Sequence, residues 1–168
     1  NTVFYSEDFQ GKSNFFSYQE SNEHLTLFPA PKMWSNQSQF TCDSAILTLK
    51  EENLDSLYLI QHTTITSLTE DSVHYDQASG KELQGQFKKN KIHSILLQGN
   101  AQNITHSIDD YGTVEGVNKS ACAFISISFE DGDAKKVNAS KGVEASYAPW
   151  DVASEEMKSL PGCTPLFE

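Results

Sequence analysis

Alternation dominates this sequence. In Phe124–Phe129, Ile125, Ile127 and Phe129 point to one side and Ser126 and Ser128 to the other, the period of a half-buried β-strand. Similar short runs rich in Phe, Tyr, Ile, Leu and Thr recur along the chain. They are Phe15–Tyr18, Leu25–Phe28, Ala45–Leu49, Leu57–Ile60, Thr64–Leu68, Leu83–Phe87, Ile92–Gln98, Ala101–His106, Thr113–Val117, Ala134–Ser140 and Val143–Tyr147. Turn chemistry marks the joints at Ala78-Ser79-Gly80-Lys81, Lys89-Asn90-Lys91, Gly99-Asn100, Asp110-Tyr111-Gly112 and Asp131-Gly132-Asp133. Only Ser154–Leu160 reads as helix, with a cap candidate before it and Pro161-Gly162 after it.

A weak repeat runs through these strands. Leu54, Ile92 and Ala134 each open a similar unit of strand, polar turn, strand, short turn and strand. Such a unit cannot bury its apolar face alone, so stacked units would share one continuous core. Three units are too few to close a propeller, and no Gly-His…Trp-Asp signature is present. A coiled, stacked β-layer is expected; a plain antiparallel sandwich with fortuitous strand spacing is the alternative.

Composition narrows the function. The chain carries net charge −11, and all 12 basic residues are Lys. A binder of nucleic-acid phosphates needs a basic face, and a polybasic membrane anchor needs clustered cations. No apolar run approaches the roughly 20 residues that span a bilayer as a helix, so no transmembrane segment is expected. The first residue is Asn1 rather than Met, so an upstream region or signal peptide is expected. Cys42, Cys122 and Cys163 lie far apart without a CxxC pair, which speaks for free thiols rather than zinc ligands. Sequons at Asn36, Asn103, Asn118 and Asn138 are close to what this Asn, Ser and Thr content produces at random.

No catalytic or cofactor motif emerges. The five histidines form neither HxH nor HExxH, and there is no GxSxG elbow or phosphate-binding glycine loop. The acidic pairs Glu51-Glu52, Asp109-Asp110 and Glu155-Glu156 read as solvated turns or faces. A hydrolase would need carboxylates brought together across a cleft, such as Glu115 near Asp131. A non-enzyme without cofactor or metal is expected.

Layered apolar strands suit a groove that holds something greasy, since each CH₂ kept out of water is worth about 0.8 kcal/mol. The candidate lining is Leu47, Leu49, Leu57, Leu59, Leu83, Phe87, Ile95, Leu97, Ile125, Ile127 and Phe129. Such a stripe is first of all a core; a groove requires the layers to splay apart.

A resemblance adds to this reading. Leu25-Thr26-Leu27-Phe28-Pro29…Trp34-Ser35…Gln39-Phe40-Thr41-Cys42-Asp43-Ser44 resembles a recurring unit of the OstA-like proteins, of the lipopolysaccharide-transport β-jellyroll superfamily. So do Tyr75–Lys81 with Phe87–Lys91 and Gln98–Ala101, Gly116–Cys122 with Ile127–Gly132, and Gly142–Ala145 with Pro149. The similarity covers roughly residues 25–150, and its order and spacing carry it more than any single motif. It implies an all-β fold, a coiled β-jellyroll of stacked strand repeats over residues 1–150, followed by a 151–168 helical or irregular tail. Parallel neighbours along the roll would fit the family; a Greek-key sandwich would not. The resemblance further implies a periplasmic, outer-membrane-biogenesis role in lipopolysaccharide transport. The partners would be lipopolysaccharide or another acyl lipid, envelope-assembly proteins, and further copies joined head to tail through exposed terminal strands. It offers no catalytic residues. Cys42 stands where the pattern has Gly, and a charge of −11 without Arg is ill suited to anionic head groups. The rival reading is a surface or adhesion-type β-domain that binds protein or glycan through an aromatic patch around Trp34 or Trp150.

Overall fold

The computed structural model describes residues 2–5, 9–35, 37–51, 53–130 and 133–163. Thirteen strands form one sheet. They are β1 (Thr2–Tyr5), β2 (Gln10–Ser13), β3 (Phe15–Gln19), β4 (His24–Phe28), β5 (Lys32–Ser35), β6 (Ser38–Thr41) and β7 (Ser44–Lys50), then the long β8 (Asn53–Leu68), β9 (Tyr75–Lys88), β10 (Lys91–Ile108) and β11 (Val114–Glu130), and finally β12 (Asp133–Ser140) and β13 (Glu144–Pro149). The one α-helix among the described residues, α1 (Glu155–Lys158), is a single turn inside the segment expected to be helical.

Every strand pairing is antiparallel. The expected parallel neighbours are therefore absent among the described residues. Chain connectivity gives the reason. Only residues 89–90 separate β9 from β10, and residues 109–113 separate β10 from β11; a parallel crossover needs a dozen or more. The repeat is corrected in the same way. Leu54, Ile92 and Ala134 lie near the starts of β8, β10 and β12, alternate strands of a meander, so the repeating unit is one antiparallel pair of long strands.

A second correction concerns the joints. Leu57–Ile60 and Thr64–Leu68 belong to the single strand β8, and Ile92–Gln98 and Ala101–His106 to β10. Thr113–Val117 and Phe124–Phe129 are likewise parts of β11 apart from Thr113. Gly99-Asn100 is a bend within β10, and Ala78–Lys81 lies inside β9. The Asp131-Gly132 turn and the Asn36 sequon lie outside the described residues.

The bends share one level. Gln61 (φ 63°) and His62 (φ 48°) in β8, and Gly99 (φ 80°) and Asn100 (φ 51°) in β10, are left-handed. Ladder registers shift beside them, as at β-bulges. The shorter strands stop at the same line. Cys42-Asp43 separates β6 from β7, with the Asp43 N–H donating to the Gln61 carbonyl at 3.0 Å. Lys141 and Gly142, both left-handed, separate β12 from β13.

The line divides the sheet into two layers that share β8–β11. The first runs β3-β4-β7-β8-β9-β10-β11-β12; the second runs β1-β2-β5-β6-β8-β9-β10-β11-β13. Their inner faces pack together. Phe9, next to β2, meets Phe87 of β9 edge-on with ring centroids 5.6 Å apart. One buried cluster unites Leu27, Leu57, Leu83 and Leu97 of the first layer with Met33, Phe40, Ile65 and Ala78 of the second.

The C-terminal segment lies on the outer face of the second layer. Ala153 and Leu160 pack on Ile104 and Val117, with Trp150, Met157 and Cys163 alongside. Gln77 reads this segment as a strand neighbour would: its Nε2 donates to the Lys158 carbonyl at 3.0 Å, and its Oε1 accepts from the Leu160 N–H at 2.8 Å.

Candidate functional site: an apolar seam and the cleft beside it

Ladder registers in the first layer assemble the alternating residues into two rows perpendicular to the strands. One runs Tyr18, Leu25, Leu47, Leu57, Gly85, Ile95, Ile127, Val137. The other runs Phe16, Leu27, Ala45, Leu59, Leu83, Leu97, Ile125, Ala139. Each row crosses eight strands without a charged or hydroxylic side chain other than the Tyr18 phenol. Cross-strand neighbours this close pack side against side.

Exposure varies along the rows. Their centres, Leu57, Leu59, Leu83, Leu97 and Ile125, are buried. Their ends emerge: Phe16 is 53% exposed, Tyr18 50% and Val137 44%. The second layer covers the middle and leaves both sides of the seam open.

All eleven sequence candidates fall on this inner face. Leu47, Leu57, Ile95 and Ile127 lie in the first row, and Leu59, Leu83, Leu97 and Ile125 in the second. Leu49, Phe87 and Phe129 belong to the same cluster. Most are packed against one another as core. Phe129 also lines a cavity of about 990 Å³ between the rims of the two layers, with Ser38, Ser67, Asp76, His106 and Lys135. Phe87 lines a smaller hollow of about 380 Å³ beside the β7–β8 and β9–β10 turns.

The second layer presents a different chemistry. Its inner row starts apolar, Met33, Phe40, Ile65, Ala78, and then turns polar at Asn103 and Ser120 before Ala145. The next row outward contains Ser35, Ser38, Ser67 and the carboxylate of Asp76, then Thr105, Asn118 and Tyr147 farther along. An apolar wall thus faces a hydroxyl- and amide-bearing one. Hydrophobic patterning could not find the polar wall, because it marks apolar faces and the buried apolar residues here, Ile104 and Val117, lie on the opposite, outer face.

One cluster fastens the rim of the cleft. His74 and His106, two of the histidines that form no ligand-pair motif in the sequence, sit with ring centroids 5.3 Å apart. Trp150 packs edge-on against His74 at 4.7 Å, and the Lys158 ammonium lies 4.2 Å from the Trp150 ring centroid. His106 Nδ1 is 3.0 Å from Asp76, and His74 Nδ1 contacts Asp71. Trp34 is engaged as well, its Nε1 donating to Gln39 Oε1 at 3.1 Å. Both tryptophans are half-buried; the exposed aromatics among the described residues are Phe15, Phe16, Tyr18 and Phe28, on and beside edge strand β3, with Tyr111 in the β10–β11 turn and Tyr147 on β13.

Asp71 ties the β8–β9 turn. Burial by itself would raise its carboxyl, but the His74 and Val73 N–H groups and the Thr69 hydroxyl all donate to it and hold it well below the usual carboxylate range. Its side chain is only 8% exposed. Asp71→Asn is expected to cost about 1–3 kcal/mol at pH 7. A depressed carboxyl contributes fully above its unfolded value near 4 and loses that contribution as pH falls toward its folded value. Urea unfolding at pH 7 and pH 3 checks this: the gap between wild type and variant shrinks at pH 3, and an equal gap contradicts it.

The thiols are protected. Burial pushes Cys42 up to about 12 and Cys163 up to about 11, and all three cysteines are free. No group of three or more His, Cys, Asp or Glu able to hold a metal occurs among the described residues. No helix among them is long and apolar enough to cross a membrane.

No family model and no curated protein matches this chain. Among solved structures it is similar to LptH, the LptA-homologous periplasmic component of the conserved lipopolysaccharide transport device from Pseudomonas aeruginosa. The TM-score is 0.61 at 9% identity, over 82% of this chain and 93% of that one. The shared fold is an all-β jellyroll; in this chain it is followed by a single-turn C-terminal helix.

Proposed function

We propose that this chain is a non-enzymatic, periplasmic lipid-handling module akin to lipopolysaccharide-transport proteins. Acyl chains lie along the seam where it opens between the layers, and copies associate end to end. Residues 1–150 carry the seam, and the tail from 151 buttresses its outer wall. The observation that carries the reading is the pair of rows spanning eight strands, closed in the middle and open at both ends. A compact sandwich has no need to expose Phe16, Tyr18 and Val137 at the ends of its core rows. The fold shared with LptH supports the same reading.

The open ends are also sheet edges. Among the described residues, β3 pairs only with β4, and β12 and β13 only with β11. Unpaired edges template strand addition. The two edges differ in charge: Lys135 and Lys136 are exposed on β12, while Glu20 and Glu23 are exposed just after β3. Joining β12 of one copy to β3 of the next would continue the seam from Val137 into Tyr18.

Titration with a fluorescent fatty acid tests the lipid reading. Saturable binding is expected, weakened about tenfold or more by Val137→Asp; no binding to the folded protein overturns it. Light scattering tests association. The apparent mass is expected to grow with concentration and to revert to monomer in Phe16→Asp, whereas a strict monomer at high concentration contradicts it.

A further inference from the structure

The wall opposite the seam bears on which head group an occupant carries. Asn103 and Ser120 are cross-strand neighbours on that wall and hydrogen-bond one another. Nearer the rim, Ser38 and Ser67 share a hydrogen bond of 2.7 Å and both line the 990 Å³ cavity. Beside Ser38, the Ser35 hydroxyl is buried and has no hydrogen-bond partner among the described residues. A buried hydroxyl left unpaired is costly, and a ligand hydroxyl reaching this wall would offset that cost.

The charges in the cleft point the same way. Glu70 and Asp76 line the cavity against a single cation, Lys135, and the chain contains no Arg. Phosphate recognition relies on clustered cations or an Arg fork. A phosphorylated head group would meet excess negative charge here, and a sugar would meet hydroxyls and amides.

We propose that the cleft selects an amphiphile with an uncharged, hydroxyl-rich head, such as an alkyl glycoside, over one with a phosphate head. The proposal rests on the acyl-binding reading above and names the head that accompanies the chain.

Competition tests it. The full chain is loaded with the fluorescent fatty acid and challenged, below micellar concentrations, with dodecyl maltoside or dodecyl phosphate. The maltoside is expected to displace the probe at a concentration at least tenfold lower. Ser38→Ala should reduce that ratio toward one while the probe still binds, and Ser67→Ala, also in the cavity lining, supplies the same readout if Ser38→Ala does not fold. Equal or better displacement by the phosphate overturns the proposal, as does a ratio unmoved by the folded variants. If the probe does not bind, the acyl reading falls by itself. Calorimetry with dodecyl maltoside and with dodecyl phosphate then decides the head-group claim: tighter binding of the maltoside sustains it, and equal binding, tighter phosphate binding or no heat from either ends it.

Discussion

Leu83→Ala should lower the unfolding free energy by about 2–5 kcal/mol, the range for emptying a well-packed core position. Leu83 is fully buried, at the centre of the second row between Leu59 and Leu97. Its neighbours belong to β8 and β10, both fixed by long ladders, so the site has little freedom to collapse around the void. The same truncation at the end of the other row, Val137→Ala, should cost well under 1 kcal/mol, because Val137 is 44% exposed and little burial is lost. Chemical denaturation of both variants checks the contrast. Equal losses would mean that the row is not closed in the middle and open at its end.

Gly99→Ala should destabilise by about 2–4 kcal/mol, from left-handed strain and a steric clash acting together. Gly99 holds φ 80° at the bend of β10, and a methyl group there would come within 2.7 Å of Lys81 Cβ. That carbon sits next to the β9 backbone and cannot swing aside. Gly112 provides the control: its φ is 81°, but nothing lies within 4 Å of an added carbon. Gly112→Ala should therefore show only the conformational part, about 1 kcal/mol. Similar losses at both positions would contradict the close packing of β9 and β10 at the bend.

This bend is where sequence reading ran out. Lys89 and Asn90 have φ 51° and 63°, and Gly99 and Asn100 have φ 80° and 51°. The first pair reverses the chain in a two-residue hairpin; the second bends one strand and lets it continue. The local chemistry is nearly the same, and ladder neighbours decide the outcome. Reading Gly99-Asn100 as a turn thus split β10 in two and hid the line along which the sheet folds. The seam was far more legible, because Leu57, Leu59, Leu83, Ile95, Leu97, Ile125 and Ile127 occupy alternate positions in strongly patterned strands. Register supplied what alternation could not: that these residues join into two rows, and that Phe16, Tyr18 and Val137 terminate them. Strands β5 and β6, absent from the sequence reading, hold only Trp34, Phe40 and Thr41 among residues that favour strands, so neither stands out as an apolar run.

The acyl seam itself is tested most directly by photolabelling with a diazirine-bearing fatty acid, followed by peptide mapping. The predicted adducts fall on inner-face residues where the layers part, Ile127 and Phe129 on β11 and Val137 and Ala139 on β12. Adducts confined to outer-face positions such as Ser126, Ser128 and Asn138, or none at saturating probe, would contradict a lipid path between the layers.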